Sequence, residues 1–179
     1  MIRTYKYGEI TKDEIFARTE PTVNVEAVVT DIIENVKKDK DKALIAYSEK
    51  FDGVKLDALE VSREEIDEAF GSVDEKFINI LRSAYANIYA FHSRQVRNSF
   101  LINDKDGVVI GQKVIPIEKV GLYVPGGTAA YPSSVLMNCV PAKIAGCKEI
   151  IMVTPPSKNG KVNPHILAAA AVADRKSVV

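Results

Sequence analysis

The sequence predicts an α/β fold in two parts, a helical segment over residues 1–100 and a parallel α/β layer over residues 101–179. Three observations carry this. Up to about Gln95, apolar residues recur at steps of three and four, the spacing of a helix face. From Val108 onward the texture changes to short apolar runs. Those runs alternate with helical stretches across glycine and proline punctuation, the order that builds a parallel sheet with helices between its strands.

Thr11 and Glu14 stand at capping-box spacing just before Ile15 and Phe16. After Pro21, one helical stripe is formed by Val25, Val28, Val29, Ile32, Ile33 and Val36. The run from Lys37 to Lys42 is charged with both signs and reads as a solvated turn or helix face. A further short helix carries Leu44, Ile45 and Tyr47 and ends near Phe51-Asp52-Gly53, where Gly53 suits a left-handed stop. Ser62 and Glu65 open another short helix, ending near Gly71. Asp74 then caps a long helix. Its stripe of Phe77, Ile80, Leu81, Ala84, Tyr85, Ile88 and Phe91 is wide enough to pack on a core.

In the second half, Val108 to Ile117 reads as one strand and Val120 to Val124 as another. The turn Pro125-Gly126-Gly127 follows. Ser133 to Ala145 reads as helix, with Pro132 near its first turn and Gly146 just past its end. Pro141 removes an interior hydrogen bond and predicts a kink. Glu149 to Val153, bounded by Gly146 and Pro155-Pro156, has the mark of a buried parallel strand. Asn163 and Pro164 begin the next helix as cap and first residue.

Composition excludes several classes. Lys and Arg together number 24, as do Asp and Glu. A nucleic acid or a membrane surface calls for a basic excess that this chain lacks. No run of about 18 apolar residues is present to span a membrane. The start lacks the apolar core of a signal peptide. The two cysteines, Cys139 and Cys147, sit among small apolar residues and read as reduced, buried thiols of a cytoplasmic protein.

The element that suggests chemistry is Val120-Gly121-Leu122-Tyr123-Val124-Pro125-Gly126-Gly127-Thr128. It lies where a strand ends and a helix begins, the place where open α/β sheets bind ligands. Its glycines permit unusual backbone torsions, and amides of the loop and the next helix turn are available to an anionic or polar group. Thr128, Ser133 and Ser134 add hydroxyls. Taken alone, the same residues also read as a tight turn, and they are not the Gly-x-Gly-x-x-Gly dinucleotide fingerprint. His92 and His165 fall on different helices without zinc-ligand spacing. His92 extends an aromatic stripe and reads as a packing residue, His165 as exposed.

The whole segment from Val120 to Pro156, with Gly-Leu-Tyr-Val-Pro-Gly-Gly, Ser-Ser, Val-Leu-Met, Pro-Ala, Ile-Ala-Gly-Cys and the closing Pro-Pro pair, resembles the central signature of histidinol dehydrogenases. Lys50-Phe51-Asp52-Gly53, Val61-Ser62 and Phe91-His92 fit the same resemblance, which reaches to about Ala173. It implies the amino-terminal part of such an enzyme, with an incomplete Rossmann-like α/β domain. Members oxidise L-histidinol to L-histidine through L-histidinaldehyde in histidine biosynthesis. They use two hydride transfers to NAD and work as homodimers with a zinc ion at each active site. By resemblance, Tyr123, Pro125 and Phe51 fall on positions that line the NAD site. The family's Glu-His base and its zinc ligands, a Gln, two His and an Asp, are implied to lie beyond Val179, so no catalytic or metal residue is assigned here. The 179 residues alone are accordingly expected not to oxidise L-histidinol. The alternative is a stand-alone nucleotide-binding α/β module without catalysis.

The sheet is expected to have an open edge where later strands belong. The tail Asp174-Arg175-Lys176-Ser177-Val178-Val179 brings no cap glycine and no further strand. These six letters are also what the opening of a common short-read sequencing adapter encodes, and they are expected to be foreign to the protein. Amplifying the locus from source DNA checks this, and the same codons there would refute it.

Overall fold

The computed structural model describes residues 4–17, 25–126, 130–173 and 178–179. Pro21, Gly127, Thr128 and the tail from Asp174 to Ser177 lie outside them. Contacts divide the chain into two units, residues 1–40 and 41–179.

The first unit holds α1 (Lys12–Phe16) and α2 (Glu26–Asp39). The capping box forms as its spacing predicts: the Glu14 amide donates to Thr11 Oγ1 at 3.2 Å, and Glu14 Oε2 accepts from the Thr11 amide at 2.9 Å. The apolar stripe of α2 has no buried member. Lys40, with φ 50°, ends that helix inside the charged run.

The second unit begins with α3 (Asp41–Asp52), which stops at Gly53 with φ 71°. A side chain is strained in that conformation and glycine is not. Next come α4 (Arg63–Ser72), opened by the Ser62–Glu65 capping box, and α5 (Glu75–His92). Asp74 caps α5 by accepting from the Lys76 amide at 2.7 Å. The inward face of α5 is Phe77, Ile78, Leu81, Ala84, Tyr85 and Ile88. Ile80 and Phe91 from the expected stripe are exposed instead. At about 3.6 residues per turn, Ile80 and Phe91 fall on the same flank of the helix, well off the centre of the buried face.

A two-stranded antiparallel hairpin follows, β1 (Phe100–Lys105) and β2 (Val108–Gln112). The expected single strand from Val108 to Ile117 is corrected here: pairing ends at Gln112. The Ser99 hydroxyl takes the Val114 amide at 2.9 Å, and Pro116 has no N–H to offer a ladder. β1 itself was not anticipated. Its signal is Asp106-Gly107, with Gly107 at φ 74°, a strong short-range hairpin mark.

The last part is β3 (Lys119–Tyr123), α6 (Pro132–Ile144), β4 (Glu149–Val153) and α7 (Pro164–Val172). β3 and β4 pair in parallel, from Lys119 opposite Glu149 to Tyr123 opposite Val153. This is the expected crossover unit, since parallel neighbours need a long connection. The α6 helix continues through Pro141, and the Ala145 amide returns to the Pro141 carbonyl at 2.9 Å. Met152 and Ile150 of β4 are buried, and Val120 and Leu122 of β3 share their face. The core joins Met152 and Leu122 to Val135, Leu136 and Cys139 of α6 and to Ile166 through Ala170 of α7. α4 and α5 pack on α7, and α5 also on α6.

The expected open edge beside β4 is partly closed. Val178 bridges Met152 in parallel, the Val179 amide donates to the Met152 carbonyl at 2.8 Å, and the Thr154 amide donates to the Val179 carbonyl at 3.0 Å. No named strand follows α7 among the described residues; the contact at Val178 is an isolated bridge. Two β-branched residues suit an extended ladder, and the β4 edge presents unpaired backbone groups that accept one.

Candidate functional site

Alternation along β3 decides where the candidate residues point. Val120 and Leu122 turn toward the core, so Lys119, Gly121 and Tyr123 occupy the opposite, uncovered face. Lys119 and Glu149 pair across that face at 2.7 Å. Tyr123 closes the strand there, 64% exposed. The next residue, Val124, is fully buried, and its amide donates to the Val153 carbonyl at 2.9 Å. This anchor carries the strand pairing one step past Tyr123 and delivers Pro125 to the surface at the carboxyl end of the sheet.

Phe51 sits in the last turn of α3, also exposed. Its ring stacks on Tyr47 at 5.6 Å between centroids, and Lys50 Nζ lies 5.2 Å from its centre. Two cavities mark the strand exits. One, of about 170 Å³, lies between Ser48 and Asp52 of α3, Leu56, and Thr154, Pro155 and Pro156 after β4. The other is a slot of about 10 Å³ between Gly126, Ala130, Thr154, Pro155 and Asn163. Thr154 and Pro155 belong to both, so the end of α3 and the glycine turn converge on the exit of β4. Tyr123, Pro125 and Phe51 line neither cavity.

Sequence reasoning found the turn and missed Asp52, Thr154, Pro155 and Asn163. The available signal was the rule that ligands collect outside the carboxyl ends of parallel strands, applied to β4 as well as to β3. Asn163 does cap α7 as expected, accepting from the His165 amide at 2.9 Å. The first turn of α6 carries no side-chain cap, and Ser133 there is exposed.

A larger groove, of about 550 Å³, opens among Val96, Val114, Ile115, Pro116 and Ile144. It also touches Ile117 and Cys147, which precede β3 and β4, so it belongs to the amino ends of the strands. That is the wrong end for a ligand of such a sheet. His92 borders it, with Nδ1 2.6 Å from Gln95 Oε1. His165 is exposed as expected and meets the Phe77 ring edge-on at 4.9 Å. Neither cysteine forms a disulfide; Cys139 is buried, but Cys147 is only half-buried, which corrects the expectation for it. Cys147 sits past the end of α6, where the chain turns toward β4, and it opens onto the groove beside Ile117. Among the described residues, no three His, Cys, Asp or Glu side chains gather as a metal site.

The family model for histidinol dehydrogenase matches residues 17–179. The chain belongs to the histidinol dehydrogenase family. It is 55% identical over 155 residues to the histidinol dehydrogenase of Listeria monocytogenes, covering 87% of this chain and 36% of that protein. The Clostridium acetobutylicum enzyme is 56% identical over 142 residues, covering 79% and 33%. The crystal structure of histidinol dehydrogenase from Elizabethkingia anophelis superposes with a TM-score of 0.84 at 38% identity, over 90% of this chain and 37% of that one. The chain thus spans about a third of the length of the relatives it matches. The expected order of a helical start followed by part of an α/β domain agrees with that fold.

Proposed function

We propose that this chain is the amino-terminal part of an enzyme that oxidises L-histidinol to L-histidine, through L-histidinaldehyde, in histidine biosynthesis. The observation that carries the reading is the family match across residues 17–179, which includes the strand-to-turn element at Tyr123. In this reading the complete enzyme is a cytoplasmic homodimer that holds NAD and zinc. NAD supplies the hydride acceptor. Zinc is held by residues outside this chain.

The part played here is to wall the cofactor. Tyr123 offers a ring on the open face of the sheet, and Pro125 offers a flat, rigid neighbour two residues on. A planar cofactor ring gains from both. Phe51 contributes from the end of α3, its ring already held by Tyr47 and Lys50. For Tyr123 and Pro125, placement at the exit of β3, whose backbone is fixed by pairing with β4, supports this role.

The test joins this segment to the remainder of the enzyme and follows NADH formation with L-histidinol. Activity is expected from the complete enzyme and not from the 179 residues alone. In the complete enzyme, Tyr123→Ala is expected to weaken NAD binding by roughly 1–2 kcal/mol, on the scale of aromatic contacts. Calorimetric titration reads this directly. An unchanged dissociation constant would show that Tyr123 does not meet the cofactor.

A further inference from the structure

Gly126 is not among the glycines with positive φ, which among the described residues are Gly8, Gly53, Gly107, Gly146 and Gly160. Its torsions therefore place no demand for glycine. The demand comes from a neighbour. A Cβ on Gly126 would stand 2.9 Å from Cγ of Pro155, 3.2 Å from its Cδ and 3.1 Å from its carbonyl oxygen. Real side chains do not sit that close to a ring and a backbone oxygen at once. The two strand-exit loops, one after β3 and one after β4, thus touch backbone against proline ring.

Pro155 suits the role of the fixed partner. Its own ring locks φ, and a residue that precedes a proline, here Thr154, is confined to an extended path. On the other side, Val124 is buried and hydrogen-bonded to Val153. Between the two anchors, the Gly126–Pro155 contact decides how near the turn can approach the β4 exit. The Pro-Pro pair, which the sequence offered only as a strand boundary, gains a purpose in this contact.

We propose that Gly126 and Pro155 form a steric stop that sets the position of the Pro125–Gly126 turn, making Gly126 a positioning residue for the cofactor. This rests on the NAD reading given above. Gly126→Ala pushes the turn away from Pro155 and carries Pro125 with it. Pro155→Ala removes Cγ and Cδ, two of the three atoms in the way, and makes room for the new methyl group.

Three variants of the complete enzyme test this: Gly126→Ala, Pro155→Ala and the double variant. Gly71→Ala is the control, since nothing lies within 4 Å of a Cβ there. Gly126→Ala is expected to raise KM for NAD by roughly tenfold to a hundredfold, the range for a displaced binding group. KM for L-histidinol should change far less. The double variant is expected to recover a large part of the loss, the non-additivity expected of residues in contact. A readout free of cofactor is hydrogen exchange at the Val124 amide, which Gly126→Ala should accelerate and the double variant should slow again. If Gly126→Ala does not fold, Pro155→Ala alone decides: faster Val124 exchange supports the stop, and unchanged exchange overturns it. Unchanged KM for NAD in Gly126→Ala, or strict additivity in the double variant, also overturns it. If the unmodified complete enzyme makes no NADH from L-histidinol, the functional reading fails first, while the exchange results still judge the contact.

Discussion

The strands β2 and β4 are each five residues long and rich in Val and Ile, yet they meet opposite fates. Met152 of β4 is fully buried, whereas Val109 of β2 is 69% exposed. β2 found its partner through a two-residue turn, and all five of its residues are exposed. β4 found its partner through α6, and the crossover brought a covering layer with it. Apolar composition thus marks a strand without saying how deep it lies. The connection decides that. A hairpin pairs two strands at little entropic cost and leaves them bare, while a crossover pairs and covers in one step.

The largest expected effect breaks or confirms this contrast. Leu136→Ala, in the fully buried face of α6, should destabilise the second unit by about 2–5 kcal/mol. Val109→Ala should stay within about 0.5 kcal/mol, as exposed substitutions do. Urea unfolding of both variants measures the difference, and equal losses would mean that the hairpin shares the core. Smaller and more local is Gly107→Ala at φ 74°, which should cost roughly 1–2 kcal/mol because a left-handed residue with a Cβ is strained. The contrast sharpens if that loss shows in hydrogen exchange of β1 and β2 while the unfolding midpoint of β4 stays put. Asp74→Ala removes the cap of α5, a helix that packs on both α6 and α7. A loss of about 1 kcal/mol in the global transition is expected, and a purely local one would detach α5 from the core.

The smallest effect concerns α1. The Thr11 backbone amide, and then its hydroxyl, bond to Glu14 and hold its carboxyl below the ordinary value. The ionised form is the one favoured in the folded helix. Its contribution is therefore present above the unfolded carboxyl pKa and fades as pH falls through the lowered folded one. Chemical shifts of residues 11 to 16 should lose helical character on acidification, and Glu14→Gln should remove that pH dependence. A pH-independent α1 in the parent would show the capping box to be idle.

What could be read in advance was local. Thr11 with Glu14, Ser62 with Glu65, Asp74 and Asn163 all cap as expected, because a cap is a bond between near neighbours in sequence. Gly53 and Gly146 stop helices for the same kind of reason. The parallel pair β3–β4 was legible because glycine and proline fence each strand. β1 was not, since Asn103, Asp104 and Lys105 dilute its apolar pattern and the Asp106-Gly107 turn was passed over. At the site, the turn after β3 was legible from its glycines. The share of Thr154 and Pro155 was not, because it depends on two loops some thirty residues apart meeting in space, and no spacing rule reports that.

One consequence remains in α7. After the buried Ile166 and Leu167, its inner surface is Ala168, Ala169 and Ala170, with Ala173 buried beyond them, and α4, α5 and α6 all pack against this helix. Alanine has no rotamers to lose, so among the buried residues of α7 only Ile166 and Leu167 give up side-chain motion. The neighbours are instead held near its bare backbone, and the separation between helices is fixed by atoms that cannot swing aside. An alanine face therefore works as a gauge rather than as filler. It gives the helix a single seating, and at the start of that helix stands Asn163, beside the loop of Pro155.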